Sequence, residues 1–176
     1  MSNKISEHLT YEEATHSDVA IRKGIPNVPE PQQLANIIMW ADKVFEPVRA
    51  YLSMKRGKDS PIHANSIFRC IEVNRAVGGS DTSSHCAGES TKIEEAAGDL
   101  SVNYKDFTNK DLFLLIKEKG AFDQLIAEFK SGNQPAWVHV GWRKYNNRMQ
   151  VLIAESINGK TTYHSFSAET WSRIYG

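Results

Sequence analysis

Apolar residues recur at three- and four-residue intervals through Leu34, Ile37, Ile38, Ala41, Val44, Phe45, Val48 and Leu52. That period puts them on one stripe of a helix facing a core. Pro47 interrupts the stretch and predicts a kink or an early end, because it lacks the N–H that a helix interior uses. Upstream, Thr10 and Glu13 have the spacing of a capping box, so a short helix or turn follows them. IRKGIPNVPEP is broken by Gly and Pro and reads as turns. PIHANSIFR reads as a strand entering a loop, and RCIEVNRAV as a short helix stopped by Gly78 and Gly79. ESTKIE alternates, which predicts a strand with Ser90, Lys92 and Glu94 on one face. Thr108 and Asp111 cap a helix running to Glu118 and ending at Gly120. Three strands are predicted next, in FDQLIAEF, AWVHVGWR and RMQVLIAES. Asn158-Gly159 then signals a hairpin that pairs TTYHSF with the last of them.

Helices first and mostly antiparallel strands afterwards, with no repeated strand-helix unit, predict a single α+β domain over residues 1–176. Its N-terminal helices pack on a mainly antiparallel sheet. A chain of 176 residues buries roughly two thirds of its unfolded surface without staples. The 21 basic and 21 acidic residues cancel, so no global charge argues for a nucleic-acid polymer or a membrane as partner. A local positive pocket remains open. Cys70 and Cys86 make no disulfide framework, and MSNKISEHLTYEEAT lacks the apolar core of an export signal, so the expected localisation is cytoplasmic. No apolar run approaches the roughly 20 residues that span a bilayer.

The candidate chemistry centres on two of six histidines. His85 lies in the Ser- and Gly-rich stretch SSHCAGES and His139 in AWVHVGWR, and no HExxH is present. A catalytic zinc site takes three ligands from His, Asp, Glu or Cys. Trp137 and Trp142 flank His139, and either line a ligand groove or pack in a core.

ISEHLTYEEAT, the helix through FEPVR, SIFRCIEVNRAVGGS, SSHCAGES, FDQLIAEF and AWVHVGWR resemble, in this order, the M15 family of zinc D-Ala-D-Ala peptidases, in particular its small phage and bacterial branch. The resemblance covers about residues 5–155 and implies an M15 peptidase-like fold. The family pattern Ser-x-His-x-x-Gly-x-Ala-x-Asp, whose His and Asp bind zinc, falls on Ser83, His85 and Gly88, with Ser90 in place of Ala and Lys92 in place of Asp. The second zinc histidine falls on His139. The arginine that grips a substrate carboxylate falls on Arg69, with Ser66 retained before it. The acidic residue that activates water falls on Glu128.

An ammonium at the ligand position removes an electron-pair donor and sets like charges together, a repulsion of roughly 4 kcal/mol at 4 Å and an effective dielectric of 20. The sequence therefore predicts a metal-free pseudoenzyme, with no cofactor expected. Ser66, Arg69, His85, Lys92, Trp137 and His139 would bind an anionic small molecule or a peptide carboxylate in the former cleft. Two alternatives stay open. One is a zinc D-Ala-D-Ala carboxypeptidase or endopeptidase acting on peptidoglycan stem peptides, with His85, His139 and a substitute ligand such as Glu89, Cys86 or His63, and with Glu128 as base. The other is a structural or interaction protein of a phage.

Overall fold

Both capping boxes form: Thr10 and Glu13 open α1 (Tyr11–Thr15), and Thr108 and Asp111 open α6 (Asn109–Lys119). Between them in the computed structural model, which describes residues 3–176, lie α2 (Asp18–Lys23), α3 (Pro31–Trp40), α4 (Glu46–Arg56), β1 (His63–Ser66), α5 (Ile71–Ala76) and β2 (Glu95–Ser101). After α6 come β3 (Gln124–Ser131), β4 (Gln134–Arg143), β5 (Gln150–Ile157), β6 (Lys160–Ser165) and α7 (Ala168–Tyr175). The domain is α+β, as the order of elements predicts.

Pro47 neither ends nor breaks the long helix. A π-helical turn over Ala41–Phe45 joins α3 to α4, and Pro47 sits in the first turn of α4 just beyond it. The Glu46 N–H reaches back to the Ala41 carbonyl, five residues away. This wider turn absorbs the disruption that proline imposes on a tight helix.

Six strands form one sheet in the order β1-β2-β4-β3-β5-β6. All neighbours are antiparallel except β3 and β5, which run parallel. Asn158 and Gly159, both with positive φ, make the β5–β6 hairpin turn. Alternation along the strands divides the sheet into two faces. On the rear face Leu100, Leu125, Ala127, Val138, Val140 and Ile153 join the buried core with residues of α3, α4 and α6. Trp40 of α3 is buried there, and its Nε1–H donates to the Val140 carbonyl at 2.9 Å. Gly98 opposite it has no room for a side chain, since a Cβ would lie 2.4 Å from the indole. The front face carries Asp99, His139, Glu128 and Arg143 and forms the floor of an open cleft of about 810 Å³.

The strand predicted in ESTKIE is not formed. Residues 87–91 are turns, Lys92 closes them with its N–H on the Gly88 carbonyl and has φ 58°, and β2 begins only at Glu95. Three elements are absent from the sequence reading: α2, of which only residues 21–23 fall in the stretch read as turns, β2 and α7. Among the described residues no helix is long and apolar enough to cross a membrane.

Candidate metal centre

Asp99 and His139 are paired across β2 and β4 and share the front face. His85 comes from a 3-10 turn, Ser84–Cys86, laid over them. The turn is fixed from several sides. The Arg69 N–H donates to the His85 carbonyl at 3.0 Å, Gln33 and Asn36 of α3 donate to the carbonyls of Cys86 and Ala87, and Ala87 takes the left-handed conformation that ends the turn.

His85 Nε2, His139 Nδ1 and Asp99 Oδ1 form a nearly equilateral triangle. His85 Nε2 lies 3.1 Å from His139 Nδ1 and 3.2 Å from Asp99 Oδ1, and His139 Nδ1 lies 3.1 Å from the same oxygen. All three side chains are buried, and they are the one such group among the described residues. Two ligand atoms on a zinc ion with bonds of about 2.0–2.1 Å at tetrahedral angles stand about 3.3 Å apart, so the triangle has the size of one face of that shell. The tautomer agrees with this. His85 Nδ1–H donates to the Ile67 carbonyl at 2.8 Å, which leaves Nε2 as a lone pair directed at the other two atoms. A carboxylate oxygen and an imidazole lone pair converging in a buried space require a proton or a cation between them. The donor set therefore fits a divalent metal such as zinc.

The electrostatics prepare these groups to act as ligands. Burial, partly offset by the Asp99 charge and reinforced by Arg69, lowers the His85 pKa, so the ring is held neutral. Burial pushes the Asp99 carboxyl up, but its contacts with the His85 and His139 imidazoles outweigh this and hold it far below the usual carboxylate range. Arg69 fixes the other oxygen: Nη2–H donates to Asp99 Oδ2 at 2.7 Å and Nε–H to Ser66 Oγ at 2.8 Å. Arg69 thus lies behind a ligand as well as in the cleft wall.

Glu128 lies beside the triad on β3, paired with Trp137, whose Nε1–H donates to its carboxylate at 2.8 Å. Burial, then the Asp99 charge, raises the Glu128 pKa against the opposing pull of His139. Phe129 has φ 55°, an unfavourable conformation for an aromatic residue. Its ring stands edge-on to Trp137 at 5.4 Å, and both residues line the cleft.

These positions correct the sequence reading at its centre. Lys92 does not occupy a ligand position: it is an exposed turn residue outside the cleft. The carboxylate predicted to be missing is Asp99, fourteen residues after His85 instead of seven. The loop between Gly88 and β2 is longer by that difference, and Ala97-Gly98-Asp99 restores the Ala-x-Asp end of the pattern. None of the substitute ligands is needed. Glu89 accepts from Gln33, His63 is exposed on β1, and burial pushes the Cys86 thiol up to about 11. Ser66, Arg69, His85, Glu128, Trp137 and His139 do meet in one cleft, while Trp142 packs in the core. The intact triad overturns the metal-free, cofactor-free pseudoenzyme and the Asp-to-Lys substitution on which it rested.

A family model described as Peptidase M15 matches residues 7–141, more than three quarters of the chain. No curated protein matches.

Proposed function

We infer that this chain, which belongs to the M15 peptidase family, is a zinc-dependent peptidase, and that it cuts D-Ala-containing peptides of peptidoglycan. The observation that carries the reading is the triangle of His85 Nε2, His139 Nδ1 and Asp99 Oδ1. The substrate class follows from the motif resemblance in SIFRC, SSHCAGES and AWVHVGWR.

Zinc held by these three donors supplies Lewis acidity toward a carbonyl oxygen and toward water. The remaining work falls to side chains of the cleft. Glu128, with its raised proton affinity, takes a proton from the water that attacks the scissile carbonyl and returns it to the departing amine. The Trp137 indole holds that carboxylate in place while leaving its second oxygen free of it. Arg69 keeps Asp99 turned toward the histidines, and its remaining N–H groups are open to a substrate carboxylate in the same cleft.

Metal analysis of natively prepared protein tests the reading. We expect close to one zinc per chain, cutting of a D-Ala-D-Ala peptide, loss of cutting on chelation, and its return with added zinc. Protein that binds no zinc on titration, or that cuts equally well after chelation, sinks it.

A further inference from the structure

The front face carries a second polar cluster that the reaction above does not use. Glu95 and Arg143 are paired across β2 and β4, four residues along from Asp99 and His139. Glu95 is fully buried, and its oxygens accept from Arg143 Nε at 2.9 Å, Ser84 Oγ at 3.2 Å and Thr91 Oγ1 at 2.7 Å. Arg143 is therefore anchored through Nε, while its two terminal nitrogens have no acceptor among the described residues. Arg148, from the β4–β5 loop, is held by buried Asp123 through its main-chain N–H, Nε and Nη2. Its Nη1 is likewise without an acceptor among the described residues.

Both arginines line the same cleft as the triad. Between His139 and Arg143 on β4 stands Gly141, and nothing approaches its missing Cβ closer than 3.7 Å. Gly141 is itself buried, and Ser84, Thr91 and Gln124 line the cleft together with the triad and the arginines. The carboxylates lie beneath and the guanidinium edges face the cleft, with Arg143 partly shielded and Arg148 more open.

We propose that Arg143 and Arg148 form a subsite that takes a free carboxylate of the substrate peptide, two to four residues from the bond that is cut. The proposal rests on the peptidase reading. Four residues of β4 separate His139 from Arg143, about 14 Å at ~3.4 Å per residue, and an extended peptide covers that span at the same rise. A planar guanidinium edge matches the two oxygens of a carboxylate. The buried anchor at Nε fixes the Arg143 fork before binding, so less side-chain freedom is lost when the anion arrives.

The test uses two pairs of synthetic peptides, each titrated calorimetrically into the zinc-loaded Glu128→Gln protein. One pair is acetyl-Glu-Lys-D-Ala-D-Ala and its Gln counterpart. The other is acetyl-Lys-D-Ala-D-Ala-Gly-Glu-amide and its Gln counterpart, so that the carboxylate lies on either side of the D-Ala-D-Ala bond. We expect the Glu peptide of one pair to bind about tenfold more tightly than its Gln counterpart. Arg143→Lys and Arg148→Gln should each bring that ratio toward one with little change for the Gln peptide. Arg143→Lys keeps a cation beside Glu95, and a thermal melt confirms that the variant is folded. Equal affinities within both pairs, a ratio that survives both substitutions, or no binding of any peptide overturns the subsite. A Glu preference in binding without cutting by the wild-type protein upholds the subsite and defeats the peptidase reading. Equal cutting of Glu and Gln peptides does the reverse.

Discussion

Asp99 and Glu95 are buried carboxylates four residues apart on the same face of β2, and they differ in what surrounds them. Both oxygens of Glu95 meet hydrogen-bond donors, from Arg143, Ser84 and Thr91. Asp99 has one oxygen on Arg69 and turns the other toward two imidazole nitrogens, one of them fixed as a lone pair. A carboxylate whose partners are complete holds a fold together. One whose partners include other electron-pair donors is waiting for a cation. Burial alone would have ranked the two alike.

The largest expected effect separates the two directly. Asp99→Asn should reduce bound zinc from near one per chain to near zero, while Glu95→Gln should leave zinc content intact and lower stability by about 1–3 kcal/mol in denaturant titration. Zinc loss in both variants, or in neither, would break the distinction. Glu128→Gln sharpens it from the side of chemistry: zinc remains bound and kcat falls about 10²- to 10⁴-fold, the range for a lost general base.

The arginine-rich end of the cleft should show itself at acid pH. Burial of Asp123 raises its pKa, but the hydrogen bonds from Arg148 and the charges of Arg143 and Arg148 outweigh this, and the folded value is lowered. Its stabilising contribution is therefore complete above the ordinary carboxylate range and is lost as pH falls through the depressed value. In unfolding curves measured between neutral and acid pH, Asp123→Asn should be the less stable protein at neutral pH. Its deficit should shrink on acidification, and a deficit constant with pH would count against the assignment. The smallest effect belongs to Lys92. As an exposed turn residue it can become Asp with zinc content unchanged and stability altered by no more than about 0.5 kcal/mol. A gain or loss of zinc there would reinstate it as a site residue.

How legible these features were depends on local pattern. Capping spacings at Thr10 and Thr108 and the Asn158-Gly159 turn are short-range signals, and each forms as read. The stripe from Leu34 to Leu52 forms in part: Ile37, Ala41, Val44, Phe45, Val48 and Leu52 are buried, while Leu34 is half-buried, Ile38 is exposed and a π turn interrupts the helix. β2 gave no such signal. EAAGDLS has few β-branched residues, and six of its seven positions are buried, so the alternation of a half-exposed strand is missing. ESTKIE does alternate but has no partner strand. The family spacing of seven residues from His85 therefore falls on Lys92. His85, His139 and Arg69 are legible because each sits in a motif of fixed internal spacing, whereas Glu128 is reached only as the nearest carboxylate on the neighbouring strand, since Ala136 stands three residues before His139. Asp99 lay beyond a loop whose length the spacing could not reveal, although Ala97-Gly98-Asp99 was the available sign. The helix α7 follows β6, with Ser167 as its cap and Trp171, Ile174 and Tyr175 on its inner side.

Trp40 touches neither the cleft nor any donor atom, yet its ring lies against Gly98 and its N–H holds the carbonyl of Val140, the immediate chain neighbours of Asp99 and His139. One indole thus clasps both ligand-bearing strands from behind and sets the gap across which the ion is gripped. Damage to this hidden clasp would register first as a looser grip on the metal, and a screen confined to residues visible from the cleft would never find its source.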